Sequence, residues 1–169
     1  MADFLDIKDP VLGTSVYADG DLVAKNVKIK LPAATRKTVT YDNHGLEVPL
    51  PGLFDSARAT VSKIGIDKGF SRLASDGKTH TFEIRFCVNV LSAGGKTRRA
   101  GCTAFINGAG AGVPETDLEV AKSTETDIEI LVYSQKLEVD GEVIYDIDRT
   151  SGTAIIGGSD ELNEIEGYL

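Results

Sequence analysis

Strict alternation of apolar and polar side chains over residues 81–91 is the feature that most constrains how this chain folds. The apolar residues there are Phe82, Ile84, Phe86, Val88 and Val90. Successive side chains of a β-strand point to opposite faces of a sheet, whereas a helix repeats about every 3.6 residues. A period of two therefore predicts a strand with one buried face and one wet face.

Strand and turn signals recur along most of the chain. The pairs Asp19-Gly20 and Asp140-Gly141 are typical of hairpin turns, and Gly94-Gly95 marks a third turn. The 18 glycines among 169 residues favour tight turns between strands. Strands are predicted within residues 15–31, 57–66, 81–91, 97–106, 127–148 and 154–156. The pattern predicts a mainly β fold, an antiparallel β-sandwich or barrel.

One internal helix and one short C-terminal helix are predicted beside this sheet. Residues 67–76 begin at Asp67, a good N-cap, and place Ile66, Phe70 and Leu73 on one side at helical spacing. The C-terminal helix is predicted within residues 159–166, with Leu162 and Ile165 facing inward.

The segments between these elements are predicted to be irregular. Residues 107–114 are rich in glycine and are predicted to form a loop. Residues 115–123 can form one helical turn, with Thr116 and Glu119 as a capping box.

Residues 36–52 are predicted to form a long hairpin that protrudes from the domain. They combine a turn-rich stretch at 42–45 with Pro49, Pro51 and an apolar tip that a small core cannot bury. Residues 1–13 are predicted to be an extended N-terminal arm, and residues 159–169 a C-terminal extension. No linker or internal repeat divides the chain, so residues 1–169 are predicted to form a single domain.

Charge is distributed unevenly along the chain. The net charge of −8 argues against a general DNA-binding or membrane-binding protein. Residues 1–116 carry 15 basic and 12 acidic side chains, whereas residues 117–169 carry 3 and 14. Copies of such a chain are electrostatically complementary to one another. The alternative is that the acids decorate the exposed faces of the late strands.

Composition also limits the compartment and the kinds of site. No apolar run approaches the roughly 20 residues that span a membrane, and the first ten residues lack the basic start of a signal peptide. We therefore expect cytoplasmic assembly. Cys87 and Cys102 are too few for a disulfide framework or a four-ligand zinc site.

No catalytic, cofactor-binding or metal-binding residues are predicted. The glycines at 108, 110 and 112 lack the spacing and the βαβ context of a dinucleotide loop. Asp146 and Asp148 share one side of a strand near Glu142, which suits a hard cation or, as the simpler interpretation, a solvated acidic face. His44 and His80 accompany no nucleophile motif.

A basic cluster without an intervening acid lies early in the chain. It consists of Lys25, Lys28, Lys30, Arg36 and Lys37. Nucleic-acid recognition would require aromatic platforms beside these cations, and only Tyr41 is near. The cluster is better suited to an acidic protein partner.

The ordered segments resemble the major tail tube protein of contractile-tailed bacteriophages. The resemblance covers nearly the whole chain, and one departure is the polar stretch RTSGT at 149–153. The matching segments are VYADG (16–20), LP (31–32), RKT (36–38), IGID (64–67), GK (95–96), VP (113–114), KLEVDG (136–141), ID (147–148) and IGGSD (156–160).

This resemblance implies a structural protein of the virion tail, not an enzyme. Such proteins form hexameric rings that stack into a tube, within a sheath and beside baseplate and tape-measure proteins. DNA passes through the lumen without specific binding. Related tubes serve phage-derived bacteriocins and secretion or injection machines. A small-ligand-binding β domain is a further alternative, although the chain has no Trp and few aromatic residues to line a pocket.

Within such a tube, the residue patterns predict two surfaces. The protruding hairpin is expected to contact the adjacent ring, and the two long hairpins within residues 81–106 and 127–148 are expected to line the lumen. The stacking candidates are Arg36, Lys37, Tyr41, Leu46, Val48 and Leu50. The lumen candidates, which occupy the polar positions of those strands, are Glu83, Asn89 and Glu129.

The two cysteines test the register of the hairpin between residues 81 and 106. If Gly94-Gly95 form a two-residue turn, Cys87 and Cys102 are direct cross-strand neighbours. A shift of one residue would place them on opposite faces of the sheet. In a cytoplasmic protein we expect both thiols to be free.

Overall fold

A computed structural model describes residues 7–169 and confirms the mainly β fold with its internal and C-terminal helices. The strands are β1 (Ile7–Ala18), β2 (Asp21–Lys25), β3 (Lys28–Lys30), β4 (Arg36–Tyr41), β5 (Leu46–Phe54), β6 (Ala57–Ile64), β7 (Thr79–Leu91), β8 (Thr97–Gly110), β9 (Glu125–Val139), β10 (Glu142–Asp148), β11 (Thr153–Ile156) and β12 (Ser159–Asp160). The helices are α1 (Lys68–Ser75) and α2 (Glu161–Glu166), and a 3-10 turn covers Asp42–His44.

The main sheet is antiparallel and open. Its strands run in the order β12-β11-β10-β9-β8-β7-β1-β2, while β4 and β5 form a separate two-stranded sheet. Strand β9 is long enough to take two partners along one edge: β6 pairs with its first half and β10 with its second. Strand β3 pairs with β6 and adds one more strand beside it. The strands β3-β6-β9-β8-β7-β1-β2 thus form a continuous path whose two ends, β2 and β3, are joined directly by the chain. These two end strands are not paired, so the path does not close into a hydrogen-bonded barrel.

One apolar core joins the strands of this path to α1. Side chains from β1, β2, β6, β7, β8 and β9 pack in a single cluster with Phe70 and Ala74 of α1. The alternation predicted for β7 is confirmed, because Phe82 and Ile84 are buried and their neighbours Glu83 and Arg85 are not. Burial of such alternating residues is the main source of the sheet's stability.

A β-bulge in β9 keeps its two halves facing the same core. Gly108 of β8 pairs with Val132, but the preceding Asn107 pairs with Ser134, so Tyr133 is an extra residue. Because of this extra residue, Val132 and Gln135 lie on the same face of β9 although they are three positions apart, and both are buried. The strand can therefore run for 15 residues and serve both β6 and β10.

Strand β8 extends through glycines that were predicted to form a loop. A Cβ atom at Gly108 would lie 2.3 Å from the backbone oxygen of Leu131, and one at Gly110 would lie 2.1 Å from that of Ala74. The prediction of a loop over residues 107–114 is wrong for 107–110, because these glycines permit close backbone approach to β9 and α1.

Helix α1 has the predicted cap. The Asp67 carboxylate accepts a hydrogen bond from the Phe70 amide at 3.1 Å, and Phe70 is buried. Ile66 was predicted to face inward but is 69% exposed, because it precedes the helix and its N-cap. No helix in the described range is both long and apolar enough to cross a membrane.

The predicted helical turn at 115–123 is also wrong. Within residues 111–124 the chain is irregular, and Thr116 forms an isolated bridge with Thr126 instead of capping a helix.

Residues 7–13 of the predicted N-terminal arm form the start of β1, which pairs with β7. The remaining part of that predicted arm, residues 1–6, lies outside the described residues.

The cysteine register differs by one residue from the prediction. Cys102 pairs with Phe86, and Cys87 pairs with Gly101. The connection is a three-residue loop closed by the Ser92 amide and the Lys96 carbonyl oxygen at 2.8 Å, not a two-residue turn. A shift of one residue moves a side chain to the opposite face, so the thiols are separated by the sheet and both are free.

Helix α2 is anchored to the edge of the sheet. The Asp160 carboxylate accepts hydrogen bonds from the Leu162 and Asn163 amides at 3.1 and 3.3 Å, and from the Ala154 amide of β11 at 3.4 Å. Leu162 is half-buried as predicted, whereas Ile165 is exposed. One cap residue thus fixes both the start of α2 and its position beside β11.

Candidate assembly surfaces

The hairpin of β4, the 3-10 turn and β5, here called the arm, has one apolar and one polar face. Val39 pairs with Val48, and Tyr41 pairs with Leu46. These four side chains alternate along the strands and so share a face, yet each is between 37% and 55% exposed. On the other face Thr38 donates a hydrogen bond to Glu47 at 2.6 Å. The arm thus carries an apolar face that its own chain leaves exposed.

The arm turns at its tip through a left-handed glycine. Gly45 has φ +61°, and its amide donates to the Asp42 carbonyl oxygen at 3.3 Å. A side chain would be strained at this φ, whereas glycine adopts it readily. The turn closes the hairpin so that Tyr41 and Leu46 face each other at the end of the apolar face.

The structure divides the predicted stacking residues into two groups. Tyr41, Leu46 and Val48 lie on the exposed apolar face, and Val39, which sequence reasoning did not single out, completes it. The others lie near the base of the arm: Leu50 is half-buried, Lys37 is exposed, and Arg36 forms an ion pair with Glu161 of α2.

The three predicted lumen residues lie on one face of the main sheet. Glu83 and Asn89 of β7 alternate with core residues and point away from the core. Glu129 of β9 lies between the buried Ile128 and Ile130 and also points outward. The strand pattern thus places all three on the outer face of the sheet, opposite the core.

Glu83 and Glu129 on this outer face each have a cationic partner. Glu83 accepts a hydrogen bond from Arg85 Nε at 2.6 Å, which raises the pKa of Arg85. Glu129 forms an ion pair with Arg58 at 3.1 Å. The Arg85 guanidinium also lies 4.7 Å from the centre of the Tyr17 ring. The two glutamates are therefore locally balanced by arginines, and the chain's acidic excess lies largely elsewhere.

A second exposed apolar surface lies at the far end of β6 from the arm. The arm precedes the start of β6, and Ile64 lies at the other end of this strand. Ile64 and Ile66 are 76% and 69% exposed, and the loop at 111–124 adds Leu118 and Val120 at 73% and 96%. The Gly65 amide binds the Thr124 carbonyl oxygen at 2.7 Å, which joins this loop to the end of β6. Sequence reasoning missed this surface because residues 115–123 were predicted to be a helical turn.

Among the acidic residues considered for a cation, Asp148 has structural partners. Asp148 accepts from the Thr150 amide at 2.8 Å, the Thr150 hydroxyl at 2.6 Å and the Ser151 amide at 3.2 Å. These bonds lower the pKa of Asp148, led by the one from the Thr150 side chain, and close the turn between β10 and β11. The part of the chain that the structure describes contains no cluster of three or more metal-ligating side chains.

The polar stretch at 149–153 forms specific contacts of its own. Arg149 donates to the side-chain oxygen of the buried Gln135 at 3.1 Å, and Gln135 in turn donates to the Pro32 carbonyl oxygen at 3.3 Å. These bonds tie the turn after β10 to the chain that leads into the arm.

The cleft between β1, β7 and β8 offers little for a small ligand. A cleft of about 590 Å³ is lined mainly by small and polar residues, with Phe86 as its aromatic side chain. Specific small-molecule sites are mostly apolar and enclosed, with few polar groups. This cleft therefore gives no support to the ligand-binding alternative.

Comparison with known proteins gives a family match. The sequence model of the family described as phage tail tube protein FII matches residues 10–167. No curated protein matches the chain. The family match spans the arm, the main sheet and both helices.

Proposed function

The chain belongs to the phage tail tube protein FII family, and we propose that it forms stacked hexameric rings of the inner tube of a contractile tail. The family is structural and its tube is part of the virion tail, which confirms the prediction that the protein is not an enzyme. The specific partners proposed are further copies of this chain, the tail sheath protein, and the baseplate and tape-measure proteins. Assembly is proposed to occur in the host cytoplasm, with DNA passing through the lumen without specific binding.

The apolar face of the arm is the single observation that carries the ring-stacking proposal. Val39, Tyr41, Leu46 and Val48 leave a two-stranded hairpin with an exposed hydrophobic face. An isolated hairpin of this kind is marginally stable in water, and its burial against another subunit would stabilise it. The surface formed by Ile64, Ile66, Leu118 and Val120 lies at the opposite end of β6. Different surfaces at opposite ends of a subunit suit head-to-tail association, which generates extended assemblies.

The outer face of the main sheet supports the proposed lumen. Glu83, Asn89 and Glu129 project from strands whose other face is the core. A wall of strands from several subunits would leave this polar face to the channel and remove exposed sheet edges. The ion pairs Glu83–Arg85 and Glu129–Arg58 give the wall few free cations at these positions, so DNA phosphates have little to bind.

The alternative within the same family is a tube of a phage-derived bacteriocin or of an injection machine. The subunit surfaces suit either tube, because both need ring closure and stacking. The difference lies in the cargo, so the DNA content of purified particles distinguishes a genome conduit from an empty tube.

Self-assembly of the purified chain tests the proposal directly. Concentrated protein is examined by negative-stain and cryo-electron microscopy, with light scattering to follow growth. We expect rings with sixfold symmetry and stacked tubes, with the arm between rings and Glu83, Asn89 and Glu129 facing the lumen. A subunit that stays monomeric at every concentration contradicts the assembly proposal. Tubes in which these three side chains face outward contradict the lumen assignment alone.

A further inference from the structure

The hydrogen-bond ladder of the arm is interrupted at its base. Arg36 pairs with Phe54, but the next pair is Thr38 with Pro49, so residues 50–53 of β5 have no counterparts on β4. Pro49 and Pro51 also lack an amide donor. The outer part of the hairpin is therefore connected to the domain through a segment with little backbone pairing, which is where a hairpin can bend.

The Glu161 carboxylate bridges this interruption. One of its oxygens binds the Arg36 guanidinium, at the start of β4. The other accepts the Gly52 amide of β5 at 2.7 Å. One side chain from a helix more than 100 positions later thus joins both strands of the arm. Hydrogen bonds to a charged group are roughly twice as strong as neutral ones, so this bridge is stronger than a backbone pair.

The surroundings favour this bridge over an ordinary surface ion pair. The side chains of Glu161 and Arg36 are 18% and 37% exposed, and the Arg36 guanidinium lies 5.6 Å from the centre of the Phe54 ring. Arg36 lowers the pKa of Glu161, so the carboxylate stays ionised at neutral pH. Surface ion pairs are usually weak because their side chains are mobile and hydrated. Here the partial burial and the Phe54 ring reduce both the mobility and the hydration of the pair.

Helix α2 gives the bridge a fixed support. Asp160 caps the helix and binds β11, so Glu161 begins from a position tied to the main sheet. A Cβ atom at Gly52 would lie 2.5 Å from the Leu162 side chain, and Gly52 has φ +71°. The left-handed backbone favours glycine at this point, and the Leu162 side chain packs into the space that a Cβ would occupy. The position of α2 and the backbone conformation at Gly52 therefore both contribute to the contact between α2 and β5.

The rest of the arm's base is loosely packed. A cleft of about 330 Å³ separates Lys37, Leu53 and Phe54 from the turn after β10. Leu53 is 48% exposed. The other hydrogen bonds at the base lie on the domain side of the interruption: the Asp55 amide donates to the Thr35 carbonyl oxygen at 2.9 Å, and Arg149 donates to the Asp55 carbonyl oxygen at 3.4 Å.

We propose that Glu161 is the positioning residue of the arm, and that through it the C-terminal helix sets the direction in which the arm's apolar face is presented to the next ring. The inference rests on the proposed function for its consequence, since only an assembling subunit needs its arm directed. Holding the arm in place before contact lowers the conformational entropy lost on docking. Loss of the bridge would leave the fold intact and make stacking less favourable.

Variants of α2 test this role. Glu161→Ala removes both bonds, whereas Glu161→Gln keeps an acceptor for the Gly52 amide and loses the charge that binds Arg36. Glu164→Ala, on the same helix, is the matched control. Hydrogen exchange is measured on the full chain at concentrations below assembly. The concentration at which tubes form is then measured by light scattering and sedimentation.

We expect Glu161→Ala to speed amide exchange at residues 36–54 by about tenfold, with β7 and β8 unchanged. The threshold for tube formation should rise several-fold, Glu161→Gln should be intermediate, and Glu164→Ala should match wild type. If Glu161→Ala does not fold, Arg36→Gln tests the same bridge from the arm and should also loosen residues 36–54.

Two results separate this inference from the proposed function. If Glu161→Ala has the same amide exchange in the arm and the same threshold for tube formation as wild type, the positioning role is overturned. The proposal of tube assembly is not affected by that result. If wild type itself forms no tubes, the proposed function fails, while the exchange measurements still decide whether Glu161 holds the arm.

Discussion

The imidazole of His80 hydrogen-bonds to the carboxylate of Asp19, with 2.6 Å between Nδ1 and Oδ2, and so links β7 to the turn between β1 and β2. The other ring nitrogen lies 2.8 Å from Asp76, just after α1. Two carboxylates are acceptors, so the protonated imidazole, in which both ring nitrogens donate, is the form that satisfies both contacts. The bond to Asp19 is the leading cause of the raised pKa of His80, with Asp76 adding to it.

This arrangement predicts a loss of stability as pH rises. The folded-state pKa of His80 lies above its ordinary value of 6.5, so its contribution is complete below pH 6.5 and is lost as pH rises through the folded value. We expect the Tm of wild type to fall over this interval more than that of His80→Ala. The exposed His44 at the arm tip provides the control His44→Ala, which should keep the wild-type slope. Equal slopes in wild type and His80→Ala would contradict the prediction.

The same contacts predict an acid limit. The pKa values of Asp19 and Asp76 are lowered, chiefly by bonds from the backbone amides of Thr81 and Lys78, with His80 contributing. Their contribution is present above the ordinary value of 3.8 and is lost as pH falls through the lower folded values. Thermal scans of Asp76→Asn should therefore show a smaller loss of Tm on acidification than wild type. A loss as large as that of wild type would assign the acid sensitivity to other carboxylates.

Two glycines of β8 should respond differently to alanine. A Cβ atom at Gly110 would collide with the backbone of α1, whereas nothing lies within 4 Å of a Cβ at Gly101. We expect Gly110→Ala to lower the free energy of unfolding by about 1–3 kcal/mol, because either the strand or the helix must move. Gly101→Ala should be nearly neutral. Urea unfolding measures both, and equal effects would mean that α1 adjusts freely against β8.

The apolar face of the arm should be needed for assembly and not for folding. Deleting residues 43–48, or combining Val39→Thr with Val48→Thr, removes exposed apolar surface from the arm. We expect variants with the wild-type unfolding transition that no longer polymerise, or that do so only at higher concentration. Thr40→Ala, on the polar face, is the control. Normal tube growth by the deletion variant would exclude the arm from stacking.

Salt should slow the start of assembly if charge pairs guide it. Lys25, Lys28, Lys30 and Lys37 are exposed, whereas Arg36 is already paired with Glu161 within its own chain. Each exposed pair between one of these lysines and an acidic side chain of a neighbouring subunit contributes only about 0–1 kcal/mol. Many such pairs would repeat along a tube. Screening shortens their reach from about 10 Å at 0.1 M salt to about 3 Å at 1 M. The nucleation rate by light scattering should fall across this range, and less steeply for Lys28→Gln with Lys30→Gln. A rate that is flat or rises would show that apolar contacts dominate.

Sequence alone determined the features whose causes are local. The alternation in β7 specified which side chains are buried, because successive strand residues necessarily face opposite sides. Asp67 was readable as the start of a helix, since a cap acts within one turn. The arm was recognisable because its prolines and apolar tip could not fit a small core. The order of short motifs along the chain also indicated the family that the comparison then showed.

The tertiary structure decided whatever depends on residues distant in sequence. Gly108 and Gly110 look like loop residues until β9 and α1 are found against them. The cysteine register depended on a single residue in the turn, which composition does not specify. His80 and Glu161 acquire their roles only when folding brings Asp19, Arg36 and Gly52 within hydrogen-bonding distance. Local patterns reflect the geometry of one chain segment, whereas these contacts arise from packing between segments, and only the folded chain brings those segments together.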